Sequence, residues 1–231
     1  MDDMIGILGT GRMGLRLAKA YGEKGVNVML ASRNKEKGQA LVKALDLPTV
    51  SVGTYEEAVQ QPFVLPAIFH RDGLLDLLEP FRSELEGKIF IDITNPFNDD
   101  YTDFIYPWNT SAAEQLHARF PRVRLIGAFK NVWWEVFDAP YFEGQPSDVY
   151  VVGDDEEAKS RFLALSTSLP FRFIDAGCLR NARTVERMTL LCGELGLRYQ
   201  YFPRMSYRLL GEAWTPGQAD TLPTLSQAIY A

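Results

Sequence analysis

The chain of 231 residues carries 24 Lys and Arg against 30 Asp and Glu, a formal charge of −6, with 46% hydrophobic, 12% aromatic and 23% charged residues. That is the composition of a soluble globular protein long enough to bury a core without disulfide or metal staples, and a poor fit to repeat arrays or miniature scaffolds. The acidic balance offers no basic footprint to nucleic acid or an anionic membrane, and the longest apolar run, 63–69, is far short of the ~20 residues that span a bilayer.

The opening Met1-Asp2-Asp3 lacks the basic and apolar pattern of a signal peptide, and the expected location is cytoplasmic. From there short apolar and β-branched runs alternate with stretches of helical period. This alternation predicts an α/β fold: a Rossmann doubly wound, mostly parallel sheet with a smaller C-terminal α/β part. Strands are expected at 4–8, 26–31, 50–52, 63–69, 89–92 and 123–129, with Pro66 weakening the fourth. Helices are expected from residue 15, over 35–45, after Thr54, over 73–81 and up to residue 119; Thr54 with Glu57 and Ser111 with Glu114 have capping-box spacing. The alternation ends near Gly127, which divides the chain into 1–127 and 128–231. An aromatic, irregular stretch over 130–147 precedes strands at 149–152 and 171–174, helices ending at 168 and 195, and a tail rich in Tyr, Pro and Leu.

The sharpest motif is Gly9-Thr10-Gly11-Arg12-Met13-Gly14, a G-x-G-x-x-G directly after the first strand and opening the first helix. Gly9 permits the tight turn, Gly11 lets backbone approach a pyrophosphate, and Gly14 lets helix and strand pack closely, while the helix N-terminus offers N–H donors. Dinucleotide binding is therefore expected. The acid that would take the ribose 2′-OH at the end of the second strand is missing, and Ala31-Ser32-Arg33-Asn34-Lys35-Glu36-Lys37 stands there instead. A hydroxyl and cations suit a 2′-phosphate, so the expected cofactor is NADP(H), contacted by Ser32, Arg33 and Lys37 or Lys35.

These features, with Ile91-Asp92-Ile93-Thr94-Asn95-Pro96, Ala128-Phe129, Gly153-Asp154-Asp155 and the run Asp175-Ala176-Gly177-Cys178-Leu179-Arg180-Asn181-Ala182-Arg183, follow one another in an order that resembles the NADPH-dependent coenzyme F420 reductases from about residue 4 to 195. The cytosolic reductase domains of the membrane ferric reductases are similar too. The resemblance implies a Rossmann domain over 1–127 holding NADP(H), a C-terminal part that completes the cleft and forms a dimer, and hydride transfer to a small-molecule flavin or deazaflavin (F420) ring. This chain departs from the pattern where many relatives read Ala-Phe-Asn-Thr and it has Ala128-Phe129-Lys130-Asn131, and at Ile68-Phe69-His70.

Phe69, His70, Thr94, Asn95 and Pro96 follow strands at the carboxyl edge, where doubly wound sheets bind ligands, and are expected near the cofactor. His70, Lys130, Asn131, Trp133 and Trp134 are the expected walls of the acceptor pocket. Asp92 is expected to end its strand by satisfying loop amides. Hydride transfer needs two stacked rings and exclusion of water rather than a triad, which suits a chain whose only histidines are His70 and His117, the latter expected to be exposed. Cys178 and Cys192 match no metal spacing and are expected to be buried thiols, and no metal is expected. Two other readings stand beside the reductase: an NADP(H)-binding sensor or partner subunit without turnover, and a hydroxyacid or imine dehydrogenase in which Lys130 shuttles the proton. Tyr199, Tyr201, Phe202, Met205, Tyr207, Leu209, Leu210 and Trp214 make the tail sticky enough to predict a homodimer, with a tail wrapped over its own domain as the alternative.

Overall fold

A computed structural model describes residues 3–212. The first half lays down six parallel strands, β1 (Met4–Leu8), β2 (Asn27–Ala31), β3 (Val50–Gly53), β4 (Phe63–Pro66), β5 (Ile89–Asp92) and β6 (Arg124–Gly127). Their order in the sheet is β3-β2-β1-β4-β5-β6. Order reverses between β1 and β4, and the crevice of a doubly wound sheet opens at that point. Helices α1 (Arg12–Gly22), α2 (Lys35–Leu45), α3 (Tyr55–Ala58), α4 (Leu74–Leu78), α5 (Arg82–Leu85) and α6 (Ala112–Arg119) connect the strands. Strand residues such as Ile5, Ile7, Leu30, Phe63, Val64 and Ile91 are buried on both faces, as parallel strands covered by helices must be.

Two strands are shorter than their apolar runs. β4 stops at Pro66, which has no N–H to extend the ladder, so 67–69 become the loop leading to a 3-10 turn at His70–Asp72. β6 stops at Gly127 because the chain turns: Phe129 has a φ of 55°. Thr54 forms the expected capping box with Glu57.

The C-terminal part begins with a 3-10 turn (Trp134–Phe137) and a short hairpin of β7 (Tyr141–Phe142) and β8 (Gln145–Pro146). Next comes β9 (Asp148–Val151), which runs parallel to β10 (Arg172–Asp175) across α7 (Glu156–Ser166). The long helix α8 (Ala182–Arg198) runs three residues past its expected end. The apolar core continues across residue 127: Val149, Val151, Phe162 and Phe171 pack in one cluster with Ile5, Ile7, Ile126 and Phe129. Gly127 and Val152 exchange backbone hydrogen bonds at 2.8 and 2.9 Å, and Tyr21 Oη lies 2.7 Å from Ser166 Oγ.

Three placements differ from expectation. Cys192 is buried, but Cys178 is exposed, because the buried place at the turn after β10 goes to its neighbour Leu179. His117 is half-buried with Nδ1 shielded from solvent, since α6 packs against α8 and the turn at 179–181. The tail is partly tied down: Arg172 Nη2 donates to the Leu209 carbonyl at 2.5 Å, Leu209 N donates to Asp148 Oδ2 at 2.7 Å, and Met205 is buried. Tyr199, Tyr201, Leu209 and Leu210 remain exposed, while Trp214 lies outside the described residues. Among the described residues no helix is long and apolar enough to cross a membrane.

The two parts are locked by a buried cation. Lys130, three residues past the end of β6, is fully enclosed, and its Nζ donates to Asp92 Oδ2 at 2.6 Å, Glu186 Oε1 at 2.9 Å and the Thr94 carbonyl at 2.5 Å. Glu186 reaches across from α8 and also accepts from the amides of Ala112 (2.9 Å) and Ala113 (3.2 Å) at the start of α6. Burial works against the Lys130 charge, but the two carboxylates outweigh it and hold its pKa above the ordinary lysine value. Lys130→Met should therefore destabilise the protein by about 3–5 kcal/mol, because it strands two carboxylates in the interior, whereas Lys130→Met with Asp92→Asn should recover part of the loss. Urea melts of both variants check this, and an unchanged midpoint for Lys130→Met would show that the cluster is not a lock.

Candidate functional site

The fingerprint forms the floor of the crevice. Gly9 has a φ of 111°, and a Cβ there would press on the Ala67 carbonyl oxygen at 3.1 Å. A Cβ at Gly14 would collide with the Gly9 carbonyl oxygen, so only glycine lets α1 pack this close to the strand end. Around Gly11, the N-cap of α1, there is open space: a Cβ would meet nothing within 4 Å. No side chain caps α1 and its first turn holds no acid, so its leading amides face that space with no protein acceptor among the described residues. The cradle fits a pyrophosphate, which would take these donors and sit at the positive end of the helix. Thr10 and Met13 flank it half-buried, and Arg12 is exposed.

At the end of β2 the chain makes a side-chain-stabilised turn. Ser32 Oγ donates to the Asn34 carbonyl at 2.8 Å and accepts from Asn34 N at 3.2 Å, while Asn34 Oδ1 caps α2 by accepting from Lys37 N at 2.8 Å. A Cβ at Gly38 would lie 2.9 Å from Ser32 Cβ, so this glycine seats α2 against the turn. Arg33, Lys35 and Lys37 are all exposed. Tyr55 at the start of α3 was not expected here. Burial raises its hydroxyl pKa, and the charge of nearby Arg33 opposes the rise. Its signal in the sequence was an aromatic directly after a capping residue at the same sheet edge.

At the ends of β4 and β5 the carboxyl edge is walled by loops. His70 is buried: Nδ1 lies 3.1 Å from Tyr106 Oη, and Nε2 has no partner among the described residues. Burial pushes its pKa down to about 4 in spite of the Asp92 charge, so the imidazole is neutral at physiological pH. Half-buried Phe69 lies under the Arg71 guanidinium at 4.7 Å and meets Phe97 and Tyr101 edge-on. Thr94 donates through N (2.8 Å) and Oγ1 (2.6 Å) to Asp92 Oδ1. The loop amide that Asp92 satisfies is thus Thr94, and the ion pair with Lys130 adds a partner that strand-ending logic does not supply. Burial alone would raise the Asp92 pKa, but Lys130 above all holds it below the usual range. Asn95 donates to the Lys130 carbonyl at 2.7 Å and leaves Oδ1 buried without a partner among the described residues; Pro96 is buried.

Two expected pocket walls point inward instead. Lys130 spends its ammonium in the interior cluster, and burial leaves it no surface from which to shuttle a proton. Asn131 is buried, donating to the Asp148 carbonyl at 2.8 Å and accepting from Tyr150 N at 3.2 Å, so it joins the two parts. Trp133 and Trp134 are both half-buried. Trp133 packs against Phe97 (6.1 Å) and Phe202 (5.0 Å) with Nε1 shielded from solvent, and Trp134 faces Arg12. Sequence reasoning missed Phe97, Tyr101 and Tyr106, which lie in a stretch marked chiefly by its polar residues, and Glu186, whose neighbours on α8 signalled only an apolar face.

Residues 4–96 match the family described as NADP oxidoreductase, coenzyme F420-dependent. The chain is 31% identical over 190 residues to metalloreductase STEAP3 of Rattus norvegicus, covering 80% of this chain but 36% of that protein, so it spans about a third of the length of this relative. It is 28% identical over 209 residues to the F420-dependent NADP reductase of Methanocaldococcus jannaschii, covering 83% of this chain and 91% of that one. A solved structure from Arthrobacter sp. FB24, assigned as an F420-dependent NADP-reductase, superposes with a TM-score of 0.77 at 22% identity over 91% of this chain and all of the other, a likeness of fold. Fingerprint, strand order and sequence agree: through residues 4–96 the chain is similar to the coenzyme F420-dependent NADP oxidoreductases.

Proposed function

We propose that this protein is an NADP-dependent oxidoreductase that binds NADP(H) across the fingerprint and passes a hydride between the nicotinamide and a flavin- or deazaflavin-like ring. The observation that carries the cofactor choice is the turn after β2. Ser32 and the exposed Arg33 stand where an acid would otherwise take a ribose hydroxyl, and a guanidinium recognises phosphate through charge-assisted bonds. The residues proposed to hold the cofactor are Gly9 to Gly14, Ser32, Arg33 and Lys37, with Phe69, His70 and Thr94 to Pro96 toward the nicotinamide.

NADPH, when bound, supplies the hydride. The protein orients and shields it. Thr94 and Asn95 are fixed from beneath by Asp92 and the Lys130 carbonyl, so the loop that faces the nicotinamide is rigid. The unpartnered Nε2 of His70 is a buried polar atom that a ligand carboxamide or carbonyl would satisfy. For the acceptor ring we propose the aromatic surface of Trp133 with Phe69, Phe97 and Tyr101, which excludes water from a stacked pair. We also propose a homodimer, supported by the exposed Tyr199, Tyr201, Leu209 and Leu210.

The cofactor assignment expects NADPH to bind at least about tenfold more tightly than NADH, the contact to the 2′-phosphate being worth about 1.5–3 kcal/mol, and Arg33→Asp to reverse the preference. Calorimetry decides, and equal dissociation constants would sink it. The second expectation concerns His70. Because its folded pKa lies below the ordinary value of 6.5, its contribution to stability is complete above pH 6.5 and fades as pH falls toward 4. By NMR, one of the two imidazoles should hold its chemical shifts from pH 8 to about pH 5.5; two rings that both titrate near 6.5 would contradict this. Light scattering should give twice 26.1 kDa, and a single-chain mass at micromolar concentration would remove the dimer.

A further inference from the structure

Arg12 occupies a free position of the fingerprint and is the first residue of α1. Its guanidinium carbon sits 4.7 Å from the ring centroid of Trp134, which comes from the far side of residue 127. The two carboxylates beside that ring, Glu135 and Asp138, would be natural partners for it. They are taken by Arg16 one turn further along α1, at 3.1 Å to Glu135 Oε1 and 2.7 Å to Asp138 Oδ2. The same two ion pairs clamp the turn at 134–137 onto the flank of α1, and Trp134 is braced from behind by Trp133 (5.7 Å) and Phe202 (5.5 Å). The result is an exposed arginine on the first residue of α1, next in sequence to Gly11 and its open space, whose guanidinium is held on an aromatic face with no acidic partner among the described residues.

Resting on the reading that NADP(H) binds at the fingerprint, we propose that Arg12 is a cationic contact for the dinucleotide pyrophosphate and that Trp134 is its positioning residue. An indole face attracts a guanidinium through its quadrupole yet leaves the N–H fork free for phosphate, which an aspartate or glutamate partner would not. Arg33 serves the 2′-phosphate at the other end of the same cofactor, so the two arginines read different phosphates. Arg16 serves neither. It holds the segment that carries Trp134.

The test is calorimetric titration of the full chain with NADPH and, in parallel, with adenosine 2′-monophosphate, which carries the 2′-phosphate but no pyrophosphate. Arg12→Gln and Trp134→Ala should each weaken NADPH about three- to tenfold and leave the monophosphate unchanged. The double variant should bind NADPH no more weakly than Arg12→Gln alone, and Trp134→Phe should keep most of the affinity because a ring face remains. Three results overturn the proposal: unchanged NADPH affinity in Trp134→Ala, losses that multiply in the double variant, or equal losses for both ligands. The last would mark a general disturbance of the fold. Wild-type protein that binds neither ligand overturns the underlying cofactor reading as well, and is thereby told apart from a failure of the Arg12 and Trp134 pairing alone.

Discussion

A single ammonium group in the interior holds the architecture together. Lys130 Nζ has partners from the end of β5 and from α8. A charge with so little access to water is tolerable only when its partners are complete, and here two carboxylates and a carbonyl close the shell. The cluster carries two negative groups for one positive, and burial together with Asp92 raises the Glu186 pKa, while two helical amides offset part of the cost by donating to it. Specificity is the gain. The cluster joins α8, the start of α6 and the loop after β5 through directional contacts that an apolar core would lack.

That relation reaches the cleft by short steps. Asp92 binds Thr94, and the Lys130 backbone carbonyl accepts from both Asn95 and, at 2.7 Å, Thr189 of α8. The loop proposed to face the nicotinamide and the helix of the C-terminal part are therefore anchored on the same residue. Asn131 repeats the device one residue on, with its side chain stitched to β9. Segments that share anchors keep a fixed spacing, which the proposed hydride transfer would require.

Much of this was legible in the sequence, for reasons that can be located. The glycines of 9–14, the period of the first six strands and the turn residues at Thr54 and Ser111 act within a few residues, so local rules reach them. Pro66 and Phe129 cut two strands short; the proline could be weighed in advance, but a positive φ at a phenylalanine could not. The Lys130 cluster was out of reach because its members are separated by 38 and 56 positions, and nothing in a lysine's neighbours says which way it will point. Placing Lys130 on the cleft wall followed from chemistry without packing. The aromatic residues of 97–106 were hidden differently, since a run of Asn, Asp and Thr between them marks a loop whatever its rings do.

The bare N-terminus of α1 would tie the proposed cofactor to folding itself. α2 begins under Asn34, α6 under Ser111 and Glu186, and α7 under Asp155, each with a side chain that accepts from its first amides. α1 begins under nothing of its own. A missing cap costs a helix about 1 kcal/mol, and here the absence falls on the element that follows the central strand. An anion seated on those amides, as proposed for the cofactor pyrophosphate, would act as the cap. Ligand concentration then enters the folding equilibrium by mass action. The open helix end is thereby a place where binding free energy would add directly to the stability of the native state.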